Sequence, residues 1–197
     1  MKRKDWIATI ERSFLAGIVI GISAWGSLSV DNRAVGAFIF SMGLLVIMHY
    51  KLFLFTGQAA SYKLKDFETA ITVLLSNFAG AATIGLLYRL AASDTTMIFT
   101  NKAEYPLWYT AIMGFLCGML IYMATQHKTA NPIYTILPVM AFILIGAEHC
   151  VANMFYLVTG QFTKDTVIFF VVNVLSNWLG SVTYKILKGE THYEKEH

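Results

Sequence analysis

The sequence contains little charge, proline or cysteine for its length. Only 14% of its 197 residues are Asp, Glu, Lys or Arg, and it has three prolines and two cysteines. A soluble domain carries about a quarter charged residues, so this composition argues against a soluble protein. Cys117 and Cys150 both lie in apolar runs, which excludes a disulfide framework. The net charge of +3 does not indicate nucleic-acid binding, because the basic residues lie at the ends of apolar runs.

Motifs for common enzyme chemistry are also missing. The sequence has no zinc-ligand spacing and no nucleophile elbow. Its two Thr-Gly-Gln runs are not followed by Gly-Lys-Ser/Thr, so they are not phosphate-binding loops. We therefore expect no enzyme activity, no cofactor and no metal site.

Apolar residues dominate the chain: they make up 56% of it, and the mean hydropathy is +0.57. One bilayer crossing uses roughly 20 such residues. Six apolar segments are present: 13–30, 34–62, 67–92, 105–126, 132–159 and 166–187. The sequence thus predicts an all-α integral membrane protein with one transmembrane channel domain over 1–197. The first run lacks a cleavage site and is predicted to be a retained span.

Segments two and five are too long for simple spans. A 29-residue helix would measure about 43 Å against a hydrocarbon core of about 30 Å. Segment two contains Lys51 and Thr56-Gly57, and segment five contains Glu148-His149. Helix breaks at membrane depth occur where backbone lines a cavity or is buried in protein. We therefore predict that helices two and five are broken.

The chain repeats itself at an offset near 100 residues. The markers are Leu-Phe-Thr-Gly-Gln 54–58 with Leu-Val-Thr-Gly-Gln 157–161, Ser-Asn-x-x-Gly 76–80 with 176–180, and Lys-Asp 65–66 with 164–165. Gly17 and Gly21 have counterparts in Gly114 and Gly118, 97 residues on. Chance similarity of apolar segments is the alternative. A duplicated three-span unit predicts an inverted repeat, with copies at about 10–92 and 105–188.

Basic residues predict the orientation. With the N-terminus inside, ten lie on the cytoplasmic side: Lys2, Arg3, Lys4, Arg12, Lys63, Lys65, Lys128, Lys185, Lys188 and Lys195. Four lie near the outside: Arg33, Arg89, Lys102 and Lys164. This distribution favours both termini in the cytoplasm.

His149 is the strongest functional candidate, because ionisable groups at bilayer depth are rare and usually mark a pathway for an ion or proton. It could instead form a packing hydrogen bond between helices. An imidazole with an ordinary pKa near 6.5 suits proton exchange around neutral pH. Glu148 and Asn153 are predicted to anchor backbone groups of the broken segment.

The first break offers Thr56, a hydroxyl for an ion or a free amide, and Gly57, which permits non-helical backbone. Lys51 could snorkel towards a headgroup or vestibule, or could raise the local anion concentration. Phe40 and Phe142 recur at an offset of 102 near the two breaks. They are candidates for packing or for a hydrophobic constriction.

These motifs resemble the formate/nitrite transporter family over nearly the whole chain. The resemblance rests on Ala16-Gly17-x-x-Ile20-Gly21, Leu54-Phe55-Thr56-Gly57, Asn177-x-x-Gly180 and, most specifically, Gly146-x-Glu148-His149-x-Val151-Ala152-Asn153-Met154. It implies an aquaporin-like homopentamer with one pore per protomer. It also implies a central pair of Thr56 and His149, an outer constriction of Phe40 and Phe142, and a cytoplasmic constriction of Leu44 and Leu54.

Several positions depart from the family pattern. Phe53 stands where the family usually has Glu, Gln58 where it has Asn, and Gly118 where it has Asn after a cysteine. A basic residue expected near Met113 is missing, and Lys51 is a candidate replacement for its charge.

The resemblance implies a channel for small monovalent anions (formate, nitrite or hydrosulfide) or their conjugate acids, proton-coupled through His149. We expect a bacterial inner membrane location and no nucleic-acid partner. The alternative is a channel for neutral solutes such as ammonia, hydrogen sulfide or water. A membrane subunit that anchors an enzyme is disfavoured, because the loops are too short for a docking surface.

Overall fold

The computed structural model describes residues 3–91, 102, 104–126, 131–160 and 163–189. Its helices are α1 (Arg3–Leu28), α2 (Arg33–His49), α3 (Phe55–Gln58), α4 (Phe67–Ala91), α5 (Leu107–Thr125), α6 (Ile133–Ile145), α7 (Cys150–Thr159) and α8 (Lys164–Leu187). Two short 3₁₀ turns, Ala59–Ser61 and Leu64–Asp66, join α3 to α4. Lys2, Lys128, Lys195 and Gln161, used in the orientation and repeat predictions, lie outside these residues.

Among the described residues, four helices are long and apolar enough to cross a membrane: α1, α4, α5 and α8. The pair α6 and α7 forms a fifth, broken span with a bend of 49°. The remaining apolar helix, α2, has only 17 residues. The prediction of an all-helical membrane protein with interrupted second and fifth segments is therefore confirmed.

The second segment breaks after His49. The chain turns through Lys51, whose φ of 53° is left-handed, and becomes helical again only for the four residues of α3. Its predicted range 34–62 is thus a helix, an extended stretch, one helical turn and a 3₁₀ turn. Lys51 itself is exposed. Lys51 therefore lies in the turn that follows α2 and not within a helix.

The fifth segment breaks at Gly146, which has a φ of 78° and ends α6. A left-handed residue is far cheaper for glycine than for other residues. The next helix, α7, begins with His149 at its N-cap position. The break thus places His149 at a helix N-terminus inside the protein, with 2% of its surface exposed.

Asn77 of α4 holds the first break. Its Oδ1 accepts the Phe55 N–H at 2.9 Å, and its Nδ2 donates to the carbonyls of Phe53 and Ser13 at 2.9 and 2.7 Å. Buried backbone groups left without partners cost about 1–3 kcal/mol each. This one side chain therefore satisfies both sides of the interruption and ties it to α1.

Asn177 of α8 does the same at the second break. Its Oδ1 accepts the Cys150 N–H at 2.9 Å, and its Nδ2 donates to the carbonyls of Glu148 and Gly114, each at 2.8 Å. The two breaks are therefore equivalent, and Asn77 corresponds to Asn177 as the repeated Ser-Asn-x-x-Gly marker predicts.

This equivalence corrects the other repeat markers. Residues 54–58 follow the first break directly, whereas residues 157–159 are the last three of α7, which ends ten residues after its N-cap. The Thr-Gly-Gln runs are therefore not equivalent positions. At the breaks the offset is 95 residues, which pairs Leu54 with His149 and leaves Phe40 and Phe142 unrelated by the repeat.

Close contacts between helices also show which glycines correspond in the two repeats. A Cβ on Gly17 would meet the Asn77 carbonyl, and a Cβ on Gly118 would meet the Asn177 carbonyl. Gly17 thus corresponds to Gly118 at an offset of 101, and the predicted pairing with Gly114 is wrong. These glycines bring α1 against α4 and α5 against α8 at backbone contact distance, the close approach that small residues permit in membrane bundles.

Candidate functional site

The structure brings the two predicted central residues together. The Thr56 hydroxyl oxygen lies 2.8 Å from Nε2 of His149, and both side chains are buried. Thr56 lies in α3 and His149 at the start of α7, so the pair joins the two breaks. This contact spans 93 residues of sequence.

A second hydrogen bond assigns the histidine tautomer. The His149 Nδ1 accepts the Ala152 N–H at 3.2 Å, which is the N-cap bond of α7. A nitrogen that accepts has no proton, so the neutral ring carries its proton on Nε2. His149 therefore donates to Thr56, and the hydroxyl proton of Thr56 remains available to donate to another group.

The backbone around Thr56 is held from two helices. The Thr125 hydroxyl and the Gln126 side-chain amide donate to the Gly57 carbonyl at 3.3 and 2.9 Å. The Ser181 hydroxyl lies 3.4 Å from the Thr56 carbonyl. A Cβ on Gly57 would lie 3.0 Å from the Thr125 methyl, so a larger side chain has little room at this position. The first break is thereby fixed to the ends of α5 and α8.

Aromatic rings lie on one side of the central pair. Phe40 and Phe142 make an edge-to-face contact with ring centroids 5.5 Å apart, and the Phe142 ring lies 5.7 Å from that of His149. The two phenylalanines are therefore in contact with each other beside His149, although the repeat does not relate them. Leu44 and Leu54 are also buried, with 1% and 2% of their surfaces exposed.

Two cavities reach the central region from opposite ends of the bundle. The first, which we call the outer cavity, has a volume of about 440 Å³ and is lined by Phe40, Phe142 and His149. The second, the inner cavity, has about 220 Å³ and is lined by Leu54 and Gly57. Thr56 is next to Gly57, which lines the inner cavity, and contacts His149, which lines the outer cavity. The buried pair therefore lies between the two cavities.

Lys102 is a site residue that the sequence reasoning placed only in an outer loop. Its ammonium lies 2.7 Å from the Glu148 carboxylate and 3.3 Å from the Asn153 side-chain oxygen, within the outer cavity. It also lies 5.2 Å from the centre of the Tyr156 ring. A buried carboxylate at this depth requires a cationic partner. Glu148 was therefore the signal in the sequence that a basic residue must lie beside it.

Asparagines complete this network. Asn153 donates to the Glu148 carboxylate at 2.9 Å and to the Asn173 side-chain oxygen at 2.8 Å. Asn173 in turn donates to the Glu148 carbonyl at 2.6 Å. The predicted anchoring by Glu148 and Asn153 therefore takes the form of a polar network that connects Lys102 with the break preceding His149.

Lys51 lines the inner cavity with an exposed side chain. The cation that pairs with Glu148 is Lys102, which lines the outer cavity, so Lys51 stays a predicted replacement for the basic residue missing near Met113. On the same side, the Arg12 guanidinium lies 5.5 Å from the centre of the Phe53 ring. Phe53 occupies the position equivalent to Glu148, so an aromatic ring faces a cation where the other repeat uses a carboxylate.

Comparisons with known proteins agree with this arrangement. Residues 1–185 match the family described as formate/nitrite transporter. The formate channel BtFdhC of Bacillus thuringiensis is 26% identical over 202 aligned positions, covering 88% of this chain and 77% of that protein. The formate channel FocA of Haemophilus influenzae is 26% identical over 157 positions, covering 67% of this chain but only 55% of that protein.

Two solved structures share the fold. A pentameric formate channel with formate bound has a TM-score of 0.76 at 20% identity, with 98% of each chain covered. An ion channel of the FNT family has a TM-score of 0.70 at 19% identity, covering 98% of this chain and 89% of the other. The helix order and both interruptions described above thus belong to a fold already seen in membrane channels.

Proposed function

This chain belongs to the formate/nitrite transporter family, a family of membrane channels and transporters rather than enzymes, and we propose that it conducts small monovalent anions together with protons. Its cargo under this proposal is formate, nitrite or hydrosulfide, or the conjugate acid of one of these. The observation that supports the proposal is the buried contact between Thr56 and His149, which has a cavity on each side. Under the proposal, Phe40 and Phe142 form an apolar constriction on one side of this pair, and Leu44 and Leu54 form one on the other.

The apolar constrictions are the reason for proton coupling. A small anion leaving water for an apolar passage loses most of its hydration energy, and a buried unpaired charge is strongly unfavourable. Phe40 and Phe142 offer no hydrogen bond to replace that hydration. A weak acid avoids the penalty, since it can be protonated at the centre and cross the rings as a neutral molecule.

The central pair supplies the donor that an arriving anion would meet. His149 Nε2–H orients the Thr56 oxygen, which leaves the threonine hydroxyl proton for an anion oxygen or sulfur. The proton that neutralises the anion comes through His149 or directly from water in a vestibule. The route through His149 requires a second proton on Nδ1, which would break the cap bond to Ala152.

Cations at both ends would concentrate anions. Lys102 and Arg33 line the outer cavity, and Lys51 lines the inner one. Both cations of the outer cavity already have protein partners: Lys102 pairs with Glu148, and Arg33 donates to the Leu144 carbonyl at 2.9 Å. The remaining field of such charges raises the local anion concentration and the association rate.

We further propose a homopentamer in a bacterial inner membrane, with both termini in the cytoplasm. The similar solved structure is described as pentameric, and many large apolar side chains on the helix surfaces are exposed in the single chain. Lys185 and Lys188 contact the carbonyls of Ala60 and Gln126, so these lysines share one end of the bundle. An excess of lysine at one end is typical of the cytoplasmic side.

The test is stopped-flow flux in proteoliposomes at about pH 5.5 and 7.5, a range that spans the ordinary titration of histidine. Formate, nitrite, hydrosulfide, acetate and chloride are compared. We expect weak-acid anions to pass faster at the lower pH and chloride to be excluded. His149→Phe removes the central donor, and His49→Phe, at the exposed end of α2, is the matched control. An unchanged rate and pH profile in His149→Phe would remove the histidine from the mechanism.

A neutral-solute channel is the second candidate, and one observation favours it. Both constrictions consist of uncharged side chains, and the central pair forms its hydrogen bonds without a formal charge. Ammonia, hydrogen sulfide or water could cross such a passage without any proton step. Flux that follows the neutral solute concentration and ignores the anion would decide for this alternative.

A further inference from the structure

A third cavity lies outside the pore pathway. It has a volume of about 360 Å³ and is enclosed between the α3 region, α4 and α8, where its walls include Phe55, Ala70, Leu74 and Trp178. None of these residues lines the outer or inner cavity. The volume accommodates roughly a dozen groups the size of a water molecule or a methylene.

The mouth of this cavity opens on the lateral surface of the bundle. Phe67 exposes 64% of its surface there, Leu175 exposes 59% and Trp178 exposes 45%. These residues belong to α4 and α8, two of the helices long enough to span a membrane. Exposed apolar side chains on spanning helices face hydrocarbon or another protomer rather than water, so this cavity opens away from water.

One cation marks the edge of the cavity. Lys63 lines it, is exposed, and lies in the turn between α3 and α4, at the end of a spanning helix. Within the described part of the chain its ammonium has no hydrogen bond or ion pair. The Asp66 carboxylate is engaged by the Lys63 backbone N–H at 3.1 Å. Lys65 and Lys185 add positive charge at the same end, and Glu68 of α4 adds one negative charge.

We propose that this cavity binds one acyl chain of an anionic phospholipid, whose phosphate is held by Lys63. Apolar walls suit the chain, and a lysine at the membrane–water boundary suits the headgroup, since basic residues near a membrane surface attract anionic lipids. A zwitterionic lipid has the same chain but gains little from the lysine. The headgroup preference therefore distinguishes this site from ordinary contact with bulk lipid.

The bound lipid would contact residues that adjoin the first break. Phe55, a wall residue, directly precedes Thr56 in α3. Tyr62, another wall residue, donates its hydroxyl to the Gln58 side-chain oxygen at 2.7 Å, and Gln58 lines the inner cavity. On the proposed function, the bound chain thus supports the segment that carries the central threonine. Binding itself does not depend on that function.

Trp178 allows a direct test. The full-length protein is placed in nanodiscs in which a brominated phosphatidylglycerol or a brominated phosphatidylcholine replaces part of the lipid, and tryptophan quenching is measured. Trp178→Phe isolates the contribution of this residue. We expect Trp178 to be quenched at a roughly five-fold lower fraction of the anionic lipid, the effect of one lysine near an anionic surface. Lys63→Gln should abolish the preference, and Lys164→Gln, at the opposite end of α8, should preserve it.

Two outcomes would overturn the proposal. Equal quenching by both lipids, unchanged by Lys63→Gln, would mean that only bulk lipid reaches the cavity. No quenching by either lipid would mean that no lipid chain enters the cavity. Lys63 is exposed and its substitution removes only charge, so loss of the fold does not confuse the result. Flux is not the readout, so failure here leaves the proposed conduction untouched.

Discussion

The ammonium of Lys102 lies 2.7 Å from the carboxylate of Glu148, a residue 46 positions later in the chain and immediately before His149. The carboxylate is nearly buried, whereas the lysine retains 26% of its side-chain surface. The pair therefore supplies the positive partner that the buried acid needs while keeping one side open to the outer cavity.

Removing this partner should destabilise the protein. Lys102→Met leaves Asn153 as the only side-chain donor to the Glu148 carboxylate among the described residues, and an unsatisfied buried group costs about 1–3 kcal/mol. We expect a lower melting temperature in detergent and reduced flux in proteoliposomes. Lys164→Met, which changes an exposed lysine, is the control. The double variant Lys102→Met/Glu148→Gln should recover much of the stability, and failure to do so would contradict a charge-pairing role.

Asn177→Leu should be among the most damaging single substitutions. It preserves approximate size but orphans the Cys150 N–H, which costs about 1–3 kcal/mol. It also removes one of the two side-chain donors to the Glu148 carbonyl and the link from α8 to the Gly114 carbonyl of α5. We expect little folded protein by fluorescence-detected size-exclusion chromatography. Asn131→Leu, which removes an exposed acceptor of the Ile133 N–H at the start of α6, is the comparison and should cost less. A folded Asn177→Leu protein of ordinary stability would mean that the break is held by other contacts.

Gly118→Ala tests the close contact of α5 and α8. The added methyl would overlap the Asn177 backbone carbonyl, so the helices must separate. Gly26→Ala is the matched control, since its methyl would meet only the Ile39 side chain at 2.9 Å. Forced overpacking typically costs 1–3 kcal/mol. Thermal unfolding should show a clear loss for Gly118→Ala and a smaller change for Gly26→Ala; equal effects would refute the contact argument.

Phe142→Ala should widen the outer constriction. Without the ring, larger weak acids such as propionate should pass faster relative to formate, because the passage next to His149 becomes wider. Phe78→Ala removes a ring of similar size from a pair with Phe170 that lines none of the three cavities. Competition flux with formate and propionate measures the ratio. A ratio that shifts equally in both variants would argue against a constriction at Phe142.

Lys51→Met tests electrostatic attraction at the inner cavity. The side chain is exposed, so its field acts through water and is screened within about 10 Å at 0.1 M salt. We expect slower formate flux at low ionic strength and a difference that disappears at high salt. Lys65→Met, outside the cavity lining, should have a smaller effect. Flux that is unchanged at every salt concentration would remove Lys51 from the conduction pathway.

The sequence allowed much of the fold to be predicted. Glycines and ionisable residues inside apolar runs located both interruptions, because such residues are tolerated at membrane depth only where the helix is broken or the backbone is buried. The marker Ser-Asn-x-x-Gly gave the correct repeat register, since its asparagine bonds the break and its glycine permits close packing. The Thr-Gly-Gln likeness gave a wrong register, because no shared contact holds those two runs in equivalent places.

The site was less accessible to sequence reasoning. The resemblance, not the spacing, placed Thr56 next to His149 across 93 residues. Lys102 precedes α5 and belongs to no periodic pattern, so nothing local indicated that it reaches Glu148. The histidine tautomer depends on a backbone N–H three residues later, and it emerges only when the start of α7 is known.

Equivalence of the two breaks places Leu54 where the other copy has His149. The duplicated fold thus has a titratable side chain at one of the two equivalent positions and an apolar side chain at the other. The proposed pathway therefore presents different residues at its two ends. Under the proposed function, a solute from one side would meet aromatic rings and an imidazole first, and a solute from the other side would meet leucine. Microscopic reversibility forbids such asymmetry from pumping anything without an energy source. The asymmetry can only make the rates of solute entry from the two sides different. The same equilibrium is then reached at a different rate when the solute starts in one compartment than when it starts in the other.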